Sequence, residues 1–217
     1  MTNQDEAALR EQIATQYKYI ESIGLNELSS GNVSCRFGDG MLISASGASA
    51  DNIAADTIVY VSLDGNWQGD RKPSSEWRMH AEIYRQHEQA GAVVHTHSDY
   101  CVAVSCHEKA LPGFHYLVGS FGGSDVPCTP YTTFGGSELG DAAADALKDR
   151  SACLLGSHGM ICRGGNLNSA VNLAHRLEIM CRQYVLACRL GEPELLTTEE
   201  WKEFFDRAKK ISYSSYI

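Results

Sequence analysis

The sequence predicts an α/β fold: a three-layer sandwich in which helices flank a central mixed, mostly antiparallel β-sheet. Three observations predict it. Short strand-like runs alternate with helical periodicities along the chain. Several of the early runs follow one another in hairpin order, which disfavours a doubly wound parallel sheet. No repeat, low-complexity tract or proline-rich linker interrupts the 217 residues, so residues 1–217 are read as a single domain.

Asp5 to Ile23 is predicted to be an amphipathic helix. Leu9, Ile13, Tyr17 and Ile20 recur at helical spacing, and Gly24 ends it. Strands are expected at Asn32–Arg36, Met41–Ser44 and Thr57–Ser62, with Asp64-Gly65 turning the chain after the third. Pro73-Ser74-Ser75-Glu76 reads as the opening of a second helix that runs to about Glu88. Serine suits an N-cap, and proline and glutamate suit a first turn.

Ala90–His95 is a run of small and β-branched residues, hence a strand, and Asp99–His107 a helix behind it. Gly119 to Gly136 is rich in glycine, proline and threonine and is expected to be loop and short strand. Ser137 is expected to cap a helix from Glu138 to Lys148. Ala152–Leu155 reads as a buried strand stopped by Gly156-Ser157-His158-Gly159. A long helix runs from Asn168 to Leu190 and closes at Gly191. Thr197-Thr198-Glu199-Glu200 is a capping-box start for a last helix to about Lys210.

Composition excludes several classes. The chain is 43% hydrophobic and 21% charged, which is ordinary for a folded domain and wrong for disorder. No apolar run approaches the roughly 18 residues of a membrane helix. The first ten residues are polar and acidic, without a basic region followed by an apolar one, so no signal peptide is expected. A net charge of −9 opposes binding to nucleic acid or anionic lipid. The eight cysteines show no C-x-x-C spacing and several fall in apolar runs. They are read as reduced and mostly buried, and the protein is expected in the cytoplasm.

The densest chemistry is Val93-Val94-His95-Thr96-His97. Residues two apart on a strand share a face, so His95 and His97 present two imidazoles together where an apolar strand ends. Nitrogen ligands suit zinc, which needs three protein ligands and an open position for catalysis. His158 is the best third candidate, because it follows a second buried strand and lies between Ser157 and Gly159, where the backbone bends freely. Glu76, after two serines at a helix start, has its anion favoured by the helix dipole. A metal-assisted reaction that moves a C–H proton needs such a base; a carboxylate that only caps the helix is the simpler alternative.

Three small-residue segments, Ser29-Ser30-Gly31-Asn32, Ser44-Ala45-Ser46-Gly47 and Ser74-Ser75, offer hydroxyls and approachable backbone N–H groups. With the helix start at Ser75 they are suited to cradle a phosphate. None matches a mononucleotide or dinucleotide fingerprint.

Ser30-Gly31-Asn32-Val33-Ser34, Ile43-Ser44-Ala45-Ser46-Gly47, Pro73-Ser74-Ser75-Glu76, His95-Thr96-His97-Ser98 and His158-Gly159 occur in one order. With Phe114-His115-Tyr116, Gly122-Gly123, Val126-Pro127-Cys128 and Pro130 to Gly135, this series resembles the class II aldolase/adducin-head family, most closely the L-fuculose-1-phosphate aldolases. The resemblance spans about Leu25 to Leu190. It implies a nine-stranded sheet flanked by helices, and a homotetramer with active sites between subunits. It implies Zn2+, with Mn2+ or Co2+ as possible substitutes, bound by His95, His97, His158 and Glu76, the last becoming the acid/base once substrate displaces it. Gly31, Asn32, Ser46, Gly47, Ser74 and Ser75 would hold the substrate phosphate, and Tyr116 would assist at the aldehyde oxygen from a neighbouring subunit.

The reaction so implied is cleavage of a ketose 1-phosphate to dihydroxyacetone phosphate and an aldehyde. Related members include sugar-phosphate 4-epimerases, dehydratases, decarboxylases and metal-free adducin-like heads. Glutamate after the serine pair, where the epimerases usually carry aspartate, favours the aldolases, and three intact histidines disfavour the adducin-like head. Ser46 stands where the aldolases usually have threonine. In the aldolases a tail tyrosine closes over the site, and the resemblance would give that part to Tyr213 or Tyr216, though the tail differs more than the rest.

Overall fold

The computed structural model describes residues 3–210; Tyr213 and Tyr216 lie outside the described residues. One sheet holds seven strands: β1 (Asn32–Phe37), β2 (Gly40–Ile43), β3 (Val59–Ser62), β4 (Ala92–Thr96), β5 (Cys128–Thr129), β6 (Ala152–Leu155) and β7 (Gly159–Gly164). Their order is β3-β2-β1-β4-β7-β6-β5. Every neighbouring pair is antiparallel except β5 with β6.

Six helices accompany it: α1 (Asn3–Ser22), α2 (Trp77–Gln86), α3 (Asp99–Ser105), α4 (Ser137–Ala146), α5 (Leu167–Cys188) and α6 (Thr198–Lys210). Alternation along the strands divides the core in two. Val33, Cys35, Val94, Leu154 and Cys162 face α1, α3 and α5 and pack on Ile13, Tyr17, Cys101 and Leu177. Met41, Ile43, Val93, Cys153 and Ile161 face α2 and α4 and pack on Met79, Ile83, Tyr84, Leu139 and Ala143. The result is three layers, with the sheet buried on both faces. Of the eight cysteines, Cys35, Cys101, Cys153, Cys162 and Cys181 are buried. No described helix is long and apolar enough to cross a membrane.

Several boundaries differ from expectation, each for a local reason. The second helix starts at Trp77, with Glu76 at its N-cap position. Pro73 is held extended by a bridge to Ala45, and Ser74 donates its N–H to the Ser44 carbonyl, so the helix cannot begin at the serines. The fourth helix starts at Ser137 itself after Gly136, with no side-chain cap. The strand β7 was not foreseen, because Gly159 and Gly164 bound it and Arg163 breaks its apolar pattern.

The described residues form seven strands where nine were implied. Three further pairings, Ala45 with Pro73, Val61 with Trp67 and Leu111 with Val126, stop at single bridges. Pro73, Pro112 and Pro127 lie in or beside two of them and lack the N–H that would extend a ladder. The cap expected before the last helix forms, and α5 carries one that the sequence reading did not name. Asn166 and Ser169 exchange bonds at the start of α5. Before α6, Glu200 accepts from the Thr197 N–H at 2.7 Å and donates its own N–H to Thr197 Oγ1 at 3.2 Å.

Candidate metal centre

One end of the sheet carries the chemistry. Asn32, which opens β1, lies directly opposite His95 near the end of β4. His95 is in turn opposite Ile161 on β7. Beyond β4, His97 follows two residues after His95, and His158 sits in the turn that joins β6 to β7. Ser157 takes φ 51° in that turn, a left-handed conformation uncommon outside glycine. Gly159 then passes so close to β4 that a Cβ there would lie 2.5 Å from the Thr96 carbonyl oxygen.

The three imidazoles form a cage. Their ring centroids are 4.7–4.9 Å apart and their planes nearly perpendicular, at 74–83°. His97 Nε2 lies 2.8 Å from His95 Nε2 and 3.1 Å from His158 Nε2. Glu76 closes the cage from the start of α2, with Oε2 3.1 Å from His95 Nε2 and Oε1 3.3 Å from His158 Nε2. All four ligand atoms lie within 4.8 Å of one another.

This donor set fits a metal ion on its own chemistry. His95 Nδ1 is 2.8 Å from the Met160 carbonyl oxygen, to which it donates. Its Nε2 lone pair therefore points into the cage, as a metal-binding histidine requires. Three imidazole nitrogens and a carboxylate converge with too few protons among them, and Glu76 Oε1 is buried without a hydrogen-bond partner among the described residues. A divalent cation at the centre satisfies all of them at once.

Electrostatics run the same way. Burial alone would raise the Glu76 carboxyl, but His95 and His158 beside it hold it well below the usual carboxylate range. Burial, reinforced by His95 and His158, pushes His97 down to about 3. His97 is thus a neutral imidazole at ordinary pH, and Glu76 an anion: the states in which both ligate.

The small-residue segments gather at the same end. The bridge between Ala45 and Pro73, with Ser46 N–H donating to the Lys72 carbonyl at 3.0 Å, lays Ser46-Gly47 beside Ser74-Ser75. Ser46, Gly47 and Ser75 are exposed and Ser74 is buried. Gly31 is buried against Asn26, leaving no room for a side chain. Asn32 is engaged elsewhere: its Nδ2 donates to Glu76 Oε2 at 3.0 Å, and its Oδ1 lies 2.5 Å from His80 Nε2.

Tyr116 is placed differently. It opens a short 3-10 turn over Tyr116–Phe121. Its half-exposed ring stacks on His115 at 4.8 Å and faces Phe204 of α6. None of the bonds of Glu76 goes to it.

Sequence reasoning passed over His80, Ser34 and Tyr84. The available signal was spacing. His80 and Tyr84 are four apart on a helix and so share a face; Asn32 and Ser34 are two apart on a strand and do likewise.

A model of the class II aldolase and adducin N-terminal domain matches residues 11–185. That match covers the sheet, the cage and all three small-residue segments. The chain belongs to the class II aldolase and adducin family. It is 40% identical over 202 residues to a 5-methylthioribulose-1-phosphate/5-deoxyribulose-1-phosphate aldolase of Rhodospirillum rubrum, covering 93% of this chain and 91% of that one. It is 38% identical over 192 residues to an L-fuculose phosphate aldolase of Escherichia coli, with 88% and 89% covered. Among solved structures, an L-fuculose 1-phosphate aldolase superposes with a TM-score of 0.89 at 32% identity, over 96% of this chain and 98% of that one. The family match and the aldolase-named relatives that cover most of the chain make it an enzyme of the class II aldolase type, a lyase.

Proposed function

We propose that the chain, as one domain over residues 1–217, is a zinc-dependent aldolase that cleaves a ketose 1-phosphate into dihydroxyacetone phosphate and an aldehyde. The observation that carries this reading is the Glu76 carboxylate set among three histidine Nε2 atoms. It pairs a site for a Lewis acid with a proton-transfer group at the same point. Relatives named as aldolases of 5-deoxyribulose, methylthioribulose and fuculose phosphates support it.

His95, His97 and His158 would hold the cation, with Glu76 beside them as a fourth ligand and the acid/base. A divalent cation held there would supply Lewis acidity to the dihydroxyacetone-phosphate half. The Glu76 carboxylate takes the C4 hydroxyl proton as the C3–C4 bond breaks and its electron pair goes to C3, which leaves the aldehyde; Glu76 then delivers that proton to C3. Gly31, Asn32, Ser46, Gly47, Ser74 and Ser75 hold the phosphate through backbone N–H groups and hydroxyls. Tyr116, exposed on one copy, stabilises the aldehyde oxygen in the site of a neighbouring copy within a homotetramer.

The test uses zinc-loaded protein with a panel of ketose 1-phosphates, including those of fuculose, 5-deoxyribulose and methylthioribulose. Dihydroxyacetone phosphate is followed through glycerol-phosphate dehydrogenase. Release by wild type, lost with EDTA and about 10²- to 10⁴-fold slower in Glu76→Gln, supports the reading and ranks the aldehydes. No release from any substrate, with zinc bound stoichiometrically, overturns it in favour of a dehydratase, decarboxylase or epimerase.

A further inference from the structure

Behind Glu76, four polar side chains run in single file into the interior. Asn32 Nδ2 donates to Glu76 Oε2 at 3.0 Å. Asn32 Oδ1 lies 2.5 Å from His80 Nε2. His80 Nδ1 lies 2.7 Å from Ser34 Oγ, and Ser34 Oγ lies 2.8 Å from Tyr84 Oη. Relative exposure is 6% for Glu76, 3% for Asn32, 1% for Tyr84 and nil for His80 and Ser34, so water does not substitute for any member.

The direction of every bond follows from the first. A carboxylate oxygen only accepts, so the Asn32 group facing it is the NH₂. The Asn32 carbonyl oxygen then faces His80 and also only accepts, so His80 Nε2 carries the proton. His80 is wholly buried and neutral, its imidazole pushed down to about 3 chiefly by burial. A neutral imidazole has one N–H, so Nδ1 accepts and Ser34 donates. The Ser34 oxygen then accepts from the Tyr84 hydroxyl. Reversing any one bond sets two acceptors or two donors against each other.

The file exists because two periodicities meet. Asn32 and Ser34 share one face of β1, His80 and Tyr84 share one face of α2, and α2 packs on that face of the sheet. An apolar pair would have joined helix to sheet at less desolvation cost. The buried polar file does something an apolar pair does not: it leaves the Asn32 amide a single orientation.

We infer that Tyr84, Ser34 and His80 are positioning residues, which lock the Asn32 amide so that its N–H holds the Glu76 carboxylate in the geometry used for metal binding and proton transfer. This rests on the reading of Glu76 as ligand and acid/base. It also revises the part of Asn32, whose amide serves Glu76 first.

The test combines three variants with three readouts: kcat against KM on the ketose phosphate cleaved best, zinc affinity by chelator competition, and the His80 tautomer by 15N NMR. Wild type is expected to show His80 protonated at Nε2. His80→Leu removes the donor and is expected to lower kcat and zinc affinity by about 10- to 100-fold, with KM nearly unchanged. His80→Gln, which returns an N–H near the Nε2 position, is expected to recover most of that loss. Ser34→Ala frees the tautomer and is expected to lower kcat by about 10-fold.

A wild-type His80 protonated at Nδ1 overturns the inference. So does a folded His80→Leu protein with kcat and zinc affinity within about twofold of wild type. Should His80→Leu fail to fold, Ser34→Ala and the wild-type tautomer decide. Should wild type cleave no ketose phosphate, the aldolase reading fails alone, and zinc affinity with the tautomer still decides this one.

Discussion

Oε2 of Glu76 lies 3.1 Å from Nε2 of His95. Both atoms present lone pairs, since the His95 proton is committed at Nδ1 to the Met160 carbonyl. The carboxylate accepts one N–H from Asn32, but nothing else in the cage relieves the convergence except a proton or a cation.

Metal binding is therefore expected to stabilise the fold measurably. Chelator-treated protein given zinc at about 100 times its dissociation constant should gain roughly 2.7 kcal/mol. For a chain of this length that is about 5–10 °C in Tm. His97→Ala removes a half-buried ligand and should leave the metal-free Tm nearly intact while abolishing the shift. Scanning calorimetry with and without zinc checks both halves, and an unchanged shift in the variant refutes the ligand role.

Ser46 and Ser75 are exposed, on segments that the Ala45–Pro73 bridge joins. Either change to alanine is expected to raise KM for a phosphorylated ketose by about 10-fold, the lower end for a hydrogen bond to a charged group. Bound zinc should be unaffected. Steady-state kinetics beside metal analysis tests this; a fall in zinc content instead would place the serines in the metal site.

Acid should destabilise the metal-free protein well above the range of its carboxylates. Burial pushes His80 down to about 3, whereas in the unfolded chain it protonates near 6.5. The folded state thus binds fewer protons between those values. Its stability from this group is complete above about pH 6.5 and declines as pH falls toward 3. From pH 6.5 to 5 the loss is about 2 kcal/mol. Urea denaturation of wild type and His80→Gln at pH 7.5 and pH 5 should show a smaller loss in the variant by that amount. His97 shifts in the same direction and acts in both proteins alike.

Gly159→Ala probes how closely the fold and the site are tied. The new Cβ would meet the Thr96 carbonyl oxygen at 2.5 Å and His97 Cδ2 at 3.2 Å. Forcing β4 and β7 apart there should cost about 1–3 kcal/mol and also weaken zinc binding, because His97 and His158 flank the contact. An unfolding midpoint and zinc affinity both equal to wild type would show that the strands yield without moving the ligands.

Legibility divided along physical lines. The pairing of His95 with His97 was readable because two residues on a strand face one way by covalent geometry alone. The α1 stripe of Ile13, Tyr17 and Ile20, the Gly24 stop and the Thr197–Glu200 cap were readable for the same reason: each is a relation within a few residues. The start of α2 was misread, because a bridge to Ala45 holds Pro73 extended, and that partner is remote in sequence. The strand β7 was invisible because its identity comes from pairing with β4 and β6, not from its own pattern.

By itself, then, the sequence determined the elements, their alternation, the apolar faces, and a short roster of histidines and one glutamate with metal-site chemistry. Only the tertiary structure decided that Glu76 and His158 meet the strand pair at one point, and that His80 of α2 stands behind Asn32. The reason is register. Local periodicity sets which way a side chain points, but the antiparallel alignment of β1, β4 and β7 and the packing of α2 on that face determine which side chains it finds there.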